Sequence, residues 1–500
     1  MNNLPIILAT IPFVVFVYLI FIRKTTLLRS SLITLLLYVF LAIFYWKIYP
    51  EALYTSFGKG LFIALDIFLI IFGAIFFLEI LKSKNIIKNI SFYLSNLSKD
   101  YRIQVIVIAW FFEALLEGTA GFGTPAAVAV PLLIGVGLSP ITSLIISLLG
   151  NSSPGIFGAA GTPIKVGFSN LSSAGVPYLA AIFNMVGIII PVFMMWVVTR
   201  GRPNKNKEFL NATPFALWSG LLFLGPSLLA ARFLGQEFPS IVGAIVGLVL
   251  VLISIKLKIF TPKEEISIAT AEREKPTASV VRSFLPYIIL ILFLIVGKFT
   301  LGKINIPIGI NFNHNFNLFN PGLIFIVVGL IVAFWEKIKI SFSYIKNSFK
   351  GALSPFLAIS FMLIMVQIMI NAGSNYSGIL SPIKLLASSI ESTFIPLYAP
   401  LAGAFGSFAT GSVTTSNVLF GTLFNTASMS MGISTDIVLA LLVVGASTGN
   451  MIAIADILTA EAVIGAKNQE RKILKAVILP CLFCLAIIGL FGMLMVGWYN

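Results

Sequence analysis

Glu113, Glu117, Asp66 and Asp456 are carboxylates set in otherwise apolar runs, and near them stand clusters of glycine, hydroxyl and amide residues. The first cluster, Glu117 to Thr124, holds Gly118, Thr119, Gly121 and Thr124; the second, Gly150 to Gly161, holds Asn151, Ser152 and Ser153. Thr410, Gly411, Ser412, Thr414, Thr415, Ser416 and Asn417 form a third, and Ser447, Thr448 and Asn450 follow it. Hydroxyls, amides and free backbone N–H groups are the donors that a small hydroxylated carboxylate would need. No arginine falls in these clusters, so such an anion would be held by dipoles and neutral hydrogen bonds, weakly enough to be released. Ionisable residues at membrane depth are costly and mark function by default. Glu113 and Glu117 lie four residues apart on one helix face and are the leading proton carriers, with Asp66 and Asp456 next. Glu79, Asp436 and Glu461 fall near the ends of apolar runs. The competing readings are that a hydroxyl bonds only its own helix backbone and that Glu113 serves packing by bonding a neighbouring helix.

Residues of this kind need elements that interrupt a membrane helix. In lipid every backbone N–H and C=O requires a partner, so broken backbone at membrane depth survives only where it is packed in protein or lines a cavity. Thr124-Pro125, Ser153-Pro154 and Thr162-Pro163 each put a hydroxyl before a proline, the pattern of a helix cap followed by its first turn. Pro140 to Gly150 is 11 residues, roughly 16 Å at the helical rise and about half the hydrocarbon thickness. A half-helix that starts inside the bilayer aims its positive end at whatever lies ahead. The pattern recurs: the run from Gly137 to Ser153 aligns with Gly432 to Thr448, pairing Gly150 with Gly445 and Ser152 with Ser447. Two copies of an interrupted element argue for internal duplication, as in secondary transporters.

The runs LEGTAGFGTPAAVAVPLLIGVG, GNSSPGIFGAAGTPI and TGSVTTSNVLFGTL resemble the lactate permease family, whose members carry L-lactate, D-lactate and glycolate with protons. These runs cover about a fifth of the chain, and length and span number agree over the rest. The family is similar to a wider group of ion transporters built from two inverted repeats, each with a re-entrant hairpin and a broken helix. The resemblance therefore implies re-entrant hairpins at 102–138 and 394–431.

Composition sets the class. With 58% hydrophobic and 10% charged residues and a mean hydropathy of +1.03, the chain is an integral membrane protein, because a soluble domain could not hide so much apolar surface. The formal charge of +15 does not point to nucleic acid, since the basic residues lie in short loops between spans. Spans are expected at about 4–22, 31–46, 60–81, 177–199, 212–231, 238–255, 284–300, 321–335, 353–372 and 473–497, with broken helices at 140–172 and 434–465. Residues 4–22 lack a preceding basic stretch and read as a retained span with its N-terminus outside. Threaded that way, cytoplasmic segments hold 26 of the 33 lysines and arginines, and the two hairpins enter from opposite sides.

The expected fold is an all-α integral membrane protein of about eleven transmembrane spans plus two re-entrant helical hairpins, arranged as inverted repeats over about 1–200 and 284–500 in one transport domain of 1–500. Thr261 to Arg282 is the longest polar run and reads as a flexible cytoplasmic linker between the halves. Lys82 to Arg102 and Glu336 to Lys350 are basic and amphipathic, and read as interfacial helices or as plain solvated loops. Lys165 either attracts the anion or snorkels outward. Cys481 and Cys484 share a helix face and read as packing. His314, the sole histidine, falls in the loop Lys303 to Asn320, which leaves Ser412 without a partner for an intramembrane serine protease.

The function expected is secondary transport, with no catalysis, cofactor or metal: proton symport of a 2-hydroxy monocarboxylate, L-lactate first with D-lactate or glycolate, across the plasma membrane. A sodium-coupled carboxylate transporter of the same architecture is the alternative, since hydroxyls, amides and carbonyls at broken helices also suit Na⁺. A channel with polar breaks as its filter is a more distant one.

Overall fold

The computed structural model describes all residues except 1–3, 24, 122–123, 170, 269–275, 309–313, 340, 391–393, 464–468 and 500. Nearly everything described is helix. The first part of the chain forms α1 (Leu4–Phe21), α2 (Leu27–Phe44), α3 (Pro50–Ser83) and the short α4 (Ile86–Ser95). It continues through α5 (Tyr101–Ile106), a π-helical turn at Val107–Phe112, α6 (Glu113–Thr119) and α7 (Thr124–Gly135). Next come α8 (Pro140–Asn151), a 3-10 turn at Pro154–Phe157, α9 (Gly158–Gly167), α10 (Val176–Phe183) and α11 (Ile190–Thr199). The middle consists of α12 (Lys205–Phe233), α13 (Pro239–Lys256), α14 (Val280–Leu301), α15 (Pro321–Trp335) and α16 (Phe342–Asn371). The last part holds α17 (Pro382–Ala387), α18 (Ile395–Thr410), α19 (Val413–Ser430), α20 (Thr435–Asn450), α21 (Ile454–Val463) and α22 (Glu470–Tyr499).

Among the described residues, nine helical segments are long and apolar enough to cross a membrane, and a tenth span forms if the bent pair Pro140–Asn151 and Pro154–Gly167 is counted as one. Leu4–Ile20 and Pro321–Trp335 are shorter apolar helices. Large side chains such as Val281, Leu229, Leu479 and Phe299 stand exposed on the outside, while the buried apolar residues form two clusters inside. That inside-out distribution is what a lipid solvent allows. This is the multi-spanning helical membrane fold that the hydropathy called for.

Close packing of the two halves positions the site. The α19 helix packs on α9, and α20 packs on α18, on α10 and on the turn Pro154–Phe157. Gly150 has no room for a Cβ because the Ala109 carbonyl occupies its place, and Gly445 meets the Pro400 carbonyl in the same way. The two glycines paired by the sequence repeat thus each let a helix backbone lie against the hairpin that precedes it. The Ala109 contact falls within the π-helical turn, which leads directly into α6 with Glu113 and Glu117.

Several details depart from the expectations. The two broken helices differ: the first bends by 54°, whereas Thr435–Leu458 continues as one span across a short turn at 451–453. The cause lies in composition, since the first break contains Pro154, Pro163, Gly158 and Gly161 and the second is Met451-Ile452-Ala453. Phe342 to Lys350 is not a separate interfacial helix but the start of α16, which runs 30 residues, about 45 Å and longer than the hydrocarbon core. By contrast α4 does bury one face, with Ile86, Ile87, Ile90 and Leu94 inside. The segment around His314 is strand: Asn305–Ile308 pairs antiparallel with His314–Asn317, in keeping with the alternating residues of Asn313 to Asn317. Finally, the described ends of the 261–282 segment are docked and not free. Ile266 N–H donates to Asp100 (3.2 Å) and the Tyr93 hydroxyl donates to the Ala278 carbonyl (2.7 Å).

Candidate functional site

The α18 helix ends at Gly411, whose φ of 66° is the left-handed cap that terminates a helix without a Cβ clash. Ser412 then caps α19, its Oγ accepting from the Thr415 N–H at 3.2 Å. In the first half α6 ends at Thr119 and Gly121 takes a φ of 54°; α7 folds back against α6 and the π-helical turn. Past α8 the chain makes the Pro154–Phe157 turn and then places Ala159, Ala160 and Gly161 at φ of 41°, 51° and 77° before the helix resumes at Thr162-Pro163. Left-handed alanines cost roughly 1–2 kcal/mol each. Strain of this kind persists only where surrounding packing enforces it, and it concentrates at functional sites.

These interruptions meet. A cavity of about 50 Å³ is lined by Glu117 and Gly121 of the first turn-back, by Asn151, Gly155, Gly158, Ala159, Thr162 and Pro163 of the bent helix, by Gly411, Ser412, Val413 and Thr414 of the second turn-back, and by Asn450 and Asp456. A water needs roughly 10–15 Å³ of such space, so the cavity has room for on the order of four waters or one molecule of a few heavy atoms. The halves are tied together at its wall. Ser447 Oγ donates to the Ser152 carbonyl at 2.6 Å, and Asn417 Nδ2 donates to the Pro163 carbonyl at 3.0 Å. The first N–H groups of the 18-residue α19 belong to Val413 and Thr414, which line the cavity and have no intrahelical acceptor. An anion in the cavity would face the positive end of that helix.

Two carboxylates share the space, each against an amide. Glu117 lies by Asn151 and Asp456 lies by Asn450. Asn450 Oδ1 accepts from Ser407 Oγ at 3.0 Å, which leaves its NH₂ to face Asp456. Glu117 Oε2 is buried without a hydrogen-bond partner. Its other oxygen occupies the place a Cβ on residue 158 would take, so a glycine at 158 is what makes room for the carboxylate. One turn earlier Glu113 is fully buried, accepts from Ser147 Oγ at 2.6 Å and lies outside the cavity.

The family model described as L-lactate permease matches residues 5–305 and 303–498. The chain belongs to the L-lactate permease family. It is 30% identical over 465 residues to the putative L-lactate permease of Haemophilus influenzae, covering 82% of this chain and 83% of that protein. It is 25% identical to the glycolate permease GlcA of Escherichia coli, over 93% of this chain and 91% of that one. The L-lactate permease of Bacillus subtilis is 25% identical over 96% of this chain and 94% of its own. A superposition on the Alcanivorax borkumensis YdaH transporter gives a TM-score of 0.44 at 14% identity, covering 86% of this chain and 85% of that one.

For this permease-family chain, the cavity divides the residues singled out from sequence. Gly121, Asn151, Gly411, Ser412, Thr414, Asn450, Glu117 and Asp456 line it. Several hydroxyls instead bond helix carbonyls: Thr119 to Leu115 (2.8 Å), Ser152 to Leu149 (2.6 Å), Thr410 to Gly406 (2.8 Å), Ser416 to Gly403 (2.7 Å) and Thr448 to Val444 (2.9 Å). Ser153 does not cap the 3-10 turn; its hydroxyl pairs with Asn184 Oδ1 at 2.8 Å. The Thr162 hydroxyl likewise bonds back to the Ala159 carbonyl. Gly118 packs on Ile241, and Thr415, Asn417 and Ser447 sit in the wall behind the lining. The side chain of Thr124 lies outside the described residues. Asp66 does not line the cavity, and Lys165 points away from it, donating to the Phe319 carbonyl at 3.2 Å and lying 5.4 Å over the Phe319 ring. Gly155, Gly158, Ala159, Thr162, Pro163 and Val413 are lining residues absent from the sequence-derived set. The glycine density of Gly150 to Gly161 and the Thr162-Pro163 pair were the available signals.

Proposed function

We propose that this chain is a secondary transporter that carries a 2-hydroxy monocarboxylate, L-lactate first and D-lactate or glycolate as close alternatives, by proton symport with alternating access. The observation that carries the reading is the cavity where both turn-backs and the bent helix converge, with Glu117 and Asp456 facing the same few-atom space as the start of α19. The family relatives named as L-lactate and glycolate permeases supply the substrate class. Asn151, Ser412, Thr414 and the first N–H groups of α19 are the donors for the carboxylate and the α-hydroxyl.

Coupling follows from charge. Two like charges about 4 Å apart at an effective dielectric of about 20 repel by about 4 kcal/mol. An anion therefore shares this cavity with Glu117 and Asp456 far more readily when they are protonated. By reciprocity, proton binding then promotes anion binding as strongly as anion binding promotes proton binding. In this reading the site sits in the cell membrane with the N-terminus outside, an orientation that the charge asymmetry of the loops supports. Glu117→Gln tests the assignment: proton-driven lactate uptake is lost while lactate–lactate exchange persists. Unchanged pH-dependent uptake in that variant removes Glu117 from the mechanism.

One observation favours a second reading. Thr415 Oγ1 and Asn417 Oδ1 are buried oxygens without hydrogen-bond partners in the wall of the site. Oxygens of this type suit Na⁺, and sodium-driven uptake at fixed pH would select that reading.

A further inference from the structure

The polar segment between the two halves does chemistry of its own at the root of the first turn-back. Arg102 is 1% exposed, on the opening turn of the helix run that leads to Glu117. Its guanidinium forks onto Asp100, itself fully buried, with Nε to Oδ1 at 3.0 Å and Nη2 to Oδ2 at 2.6 Å. The same guanidinium donates to the Glu208 carbonyl at 3.1 Å, at the start of α12, and to the Glu264 carbonyl at 2.7 Å, in the inter-half segment. The backbone completes the joint. Tyr101 N–H donates to the Ile266 carbonyl at 3.1 Å, and Ile266 N–H donates to Asp100 Oδ2 at 3.2 Å. A side layer closes over it, with the Tyr101 hydroxyl on Glu208 at 2.8 Å, Arg202 on Glu208 at 2.9 Å, and Lys207 on Glu264 at 2.8 Å. Three stretches remote in sequence are thereby fastened to one buried cation.

A buried arginine is stable only when its fork is filled and its charge compensated. Asp100 supplies the charge, and carbonyls of α12 and of the inter-half segment take two of the three remaining donors. The root therefore keeps its geometry only while 264–266 is docked. From that root, Tyr101 to Thr119 runs as continuous helix to Glu117 and the turn at Gly121. Any shift at the root is carried along the helix to the cavity.

We propose that residues 264–266, near the start of the inter-half segment, are a clamp on the root of the first turn-back, with Arg102 as its hub and as a positioning residue for the Glu117 tip. The functional half of this statement rests on the transport reading above; the structural half does not. The clamp works through the backbone N–H and carbonyls of 264–266, so their backbone conformation matters more than their side chains.

Ile266→Pro tests it. That change deletes the N–H that donates to Asp100 and leaves every charge in place. Hydrogen–deuterium exchange on the full chain in lipid nanodiscs should show slow amide exchange at Tyr101 and Ile266 in the wild type. At Tyr101 it should be at least tenfold faster in Ile266→Pro. Lactate uptake should fall in maximal rate with KM within twofold. Arg102→Lys, which keeps the charge opposite Asp100 but cannot span both carbonyls, should fall between wild type and Ile266→Pro in exchange and in rate. Wild-type amides at 101 and 266 that exchange as fast as unstructured peptide would overturn the clamp. So would an Ile266→Pro variant with unchanged Tyr101 exchange. Accelerated exchange with wild-type uptake rates would overturn the positioning role alone. Because exchange is read without substrate, a failure of the transport reading leaves that arm intact.

Discussion

Adding one methyl group at residue 158 should uncouple the carboxylate that the site depends on. In Gly158→Ala the new Cβ falls on Glu117 Oε1, within 3.2 Å of Cδ and 3.6 Å of Cγ. Glu117 is 7% exposed, so its carboxylate yields only by swinging into the cavity it lines, away from the position it holds in the structure. Overpacking of this kind costs about 1–3 kcal/mol, and at tenfold per 1.4 kcal/mol the carboxylate is displaced from its working position by a factor of roughly 5–150. Proton-driven uptake of radiolabelled lactate into proteoliposomes should fall within that range, whereas exchange at equal pH on both sides should fall less. Shortening the side chain should undo the clash, so Gly158→Ala with Glu117→Asp should transport better than Gly158→Ala alone, a non-additive pair expected only of groups in contact. Proton-driven uptake within twofold of wild type in Gly158→Ala would refute the placement of Glu117 at the coupling centre, as would a double variant worse than either single one.

The structure also separates hydroxyls and amides that face the cavity from those that do not. Asn151→Ala should raise KM by roughly 5- to 10-fold, the loss of one net hydrogen bond of about 1–1.5 kcal/mol, while Thr410→Ala, whose hydroxyl is spent on the Gly406 carbonyl, should leave KM within twofold in the same uptake assay. Gly150→Ala drives a Cβ into the Ala109 backbone carbonyl, where no flexible side-chain end can yield, so it should destabilise the protein by about 2–3 kcal/mol, read as a lower melting temperature in detergent. At the clamp, the hydrogen bond and charge of Lys207 hold the exposed Glu264 carboxyl below the ordinary glutamate range. A depressed carboxyl contributes its stabilisation above its unfolded pKa and loses it as pH falls through the folded value. Exchange at 264–266 should therefore stay flat from pH 8 to 6, apart from the intrinsic chemical trend, and rise only in acid below about pH 4.3.

The sequence announced the architecture better than the side-chain roles. Spans were readable because lipid demands long apolar runs, and the interruptions because glycine, proline and hydroxyl residues break them. Gly121, Gly411 and Ser412 could be placed at turns from residue type alone, and they line the cavity. Thr119, Thr410, Ser416 and Thr448 share the residue types of the lining yet bond helix carbonyls, because a hydroxyl facing the cavity and one bonded to a carbonyl look alike in one dimension. Gly158 was missed for the opposite reason, since its importance is a vacancy beside Glu117 that only packing creates. The docking of 264–266 is not legible in the sequence because this stretch engages Arg102, Tyr101 and Asp100 through its own backbone carbonyls and N–H, which carry no sequence signature. Neither Asp66 nor Lys165 lines the cavity, and apolar surroundings alone do not say which way a helix face is turned.

The central claim is that one cavity takes a small monocarboxylate together with a proton. Lactate uptake in proteoliposomes under separately imposed proton and sodium gradients tests it most directly. An inward proton gradient should drive saturable accumulation, and a sodium gradient at equal pH should drive none. Accumulation that follows sodium and ignores pH, or the absence of saturable lactate uptake under either gradient, would contradict it.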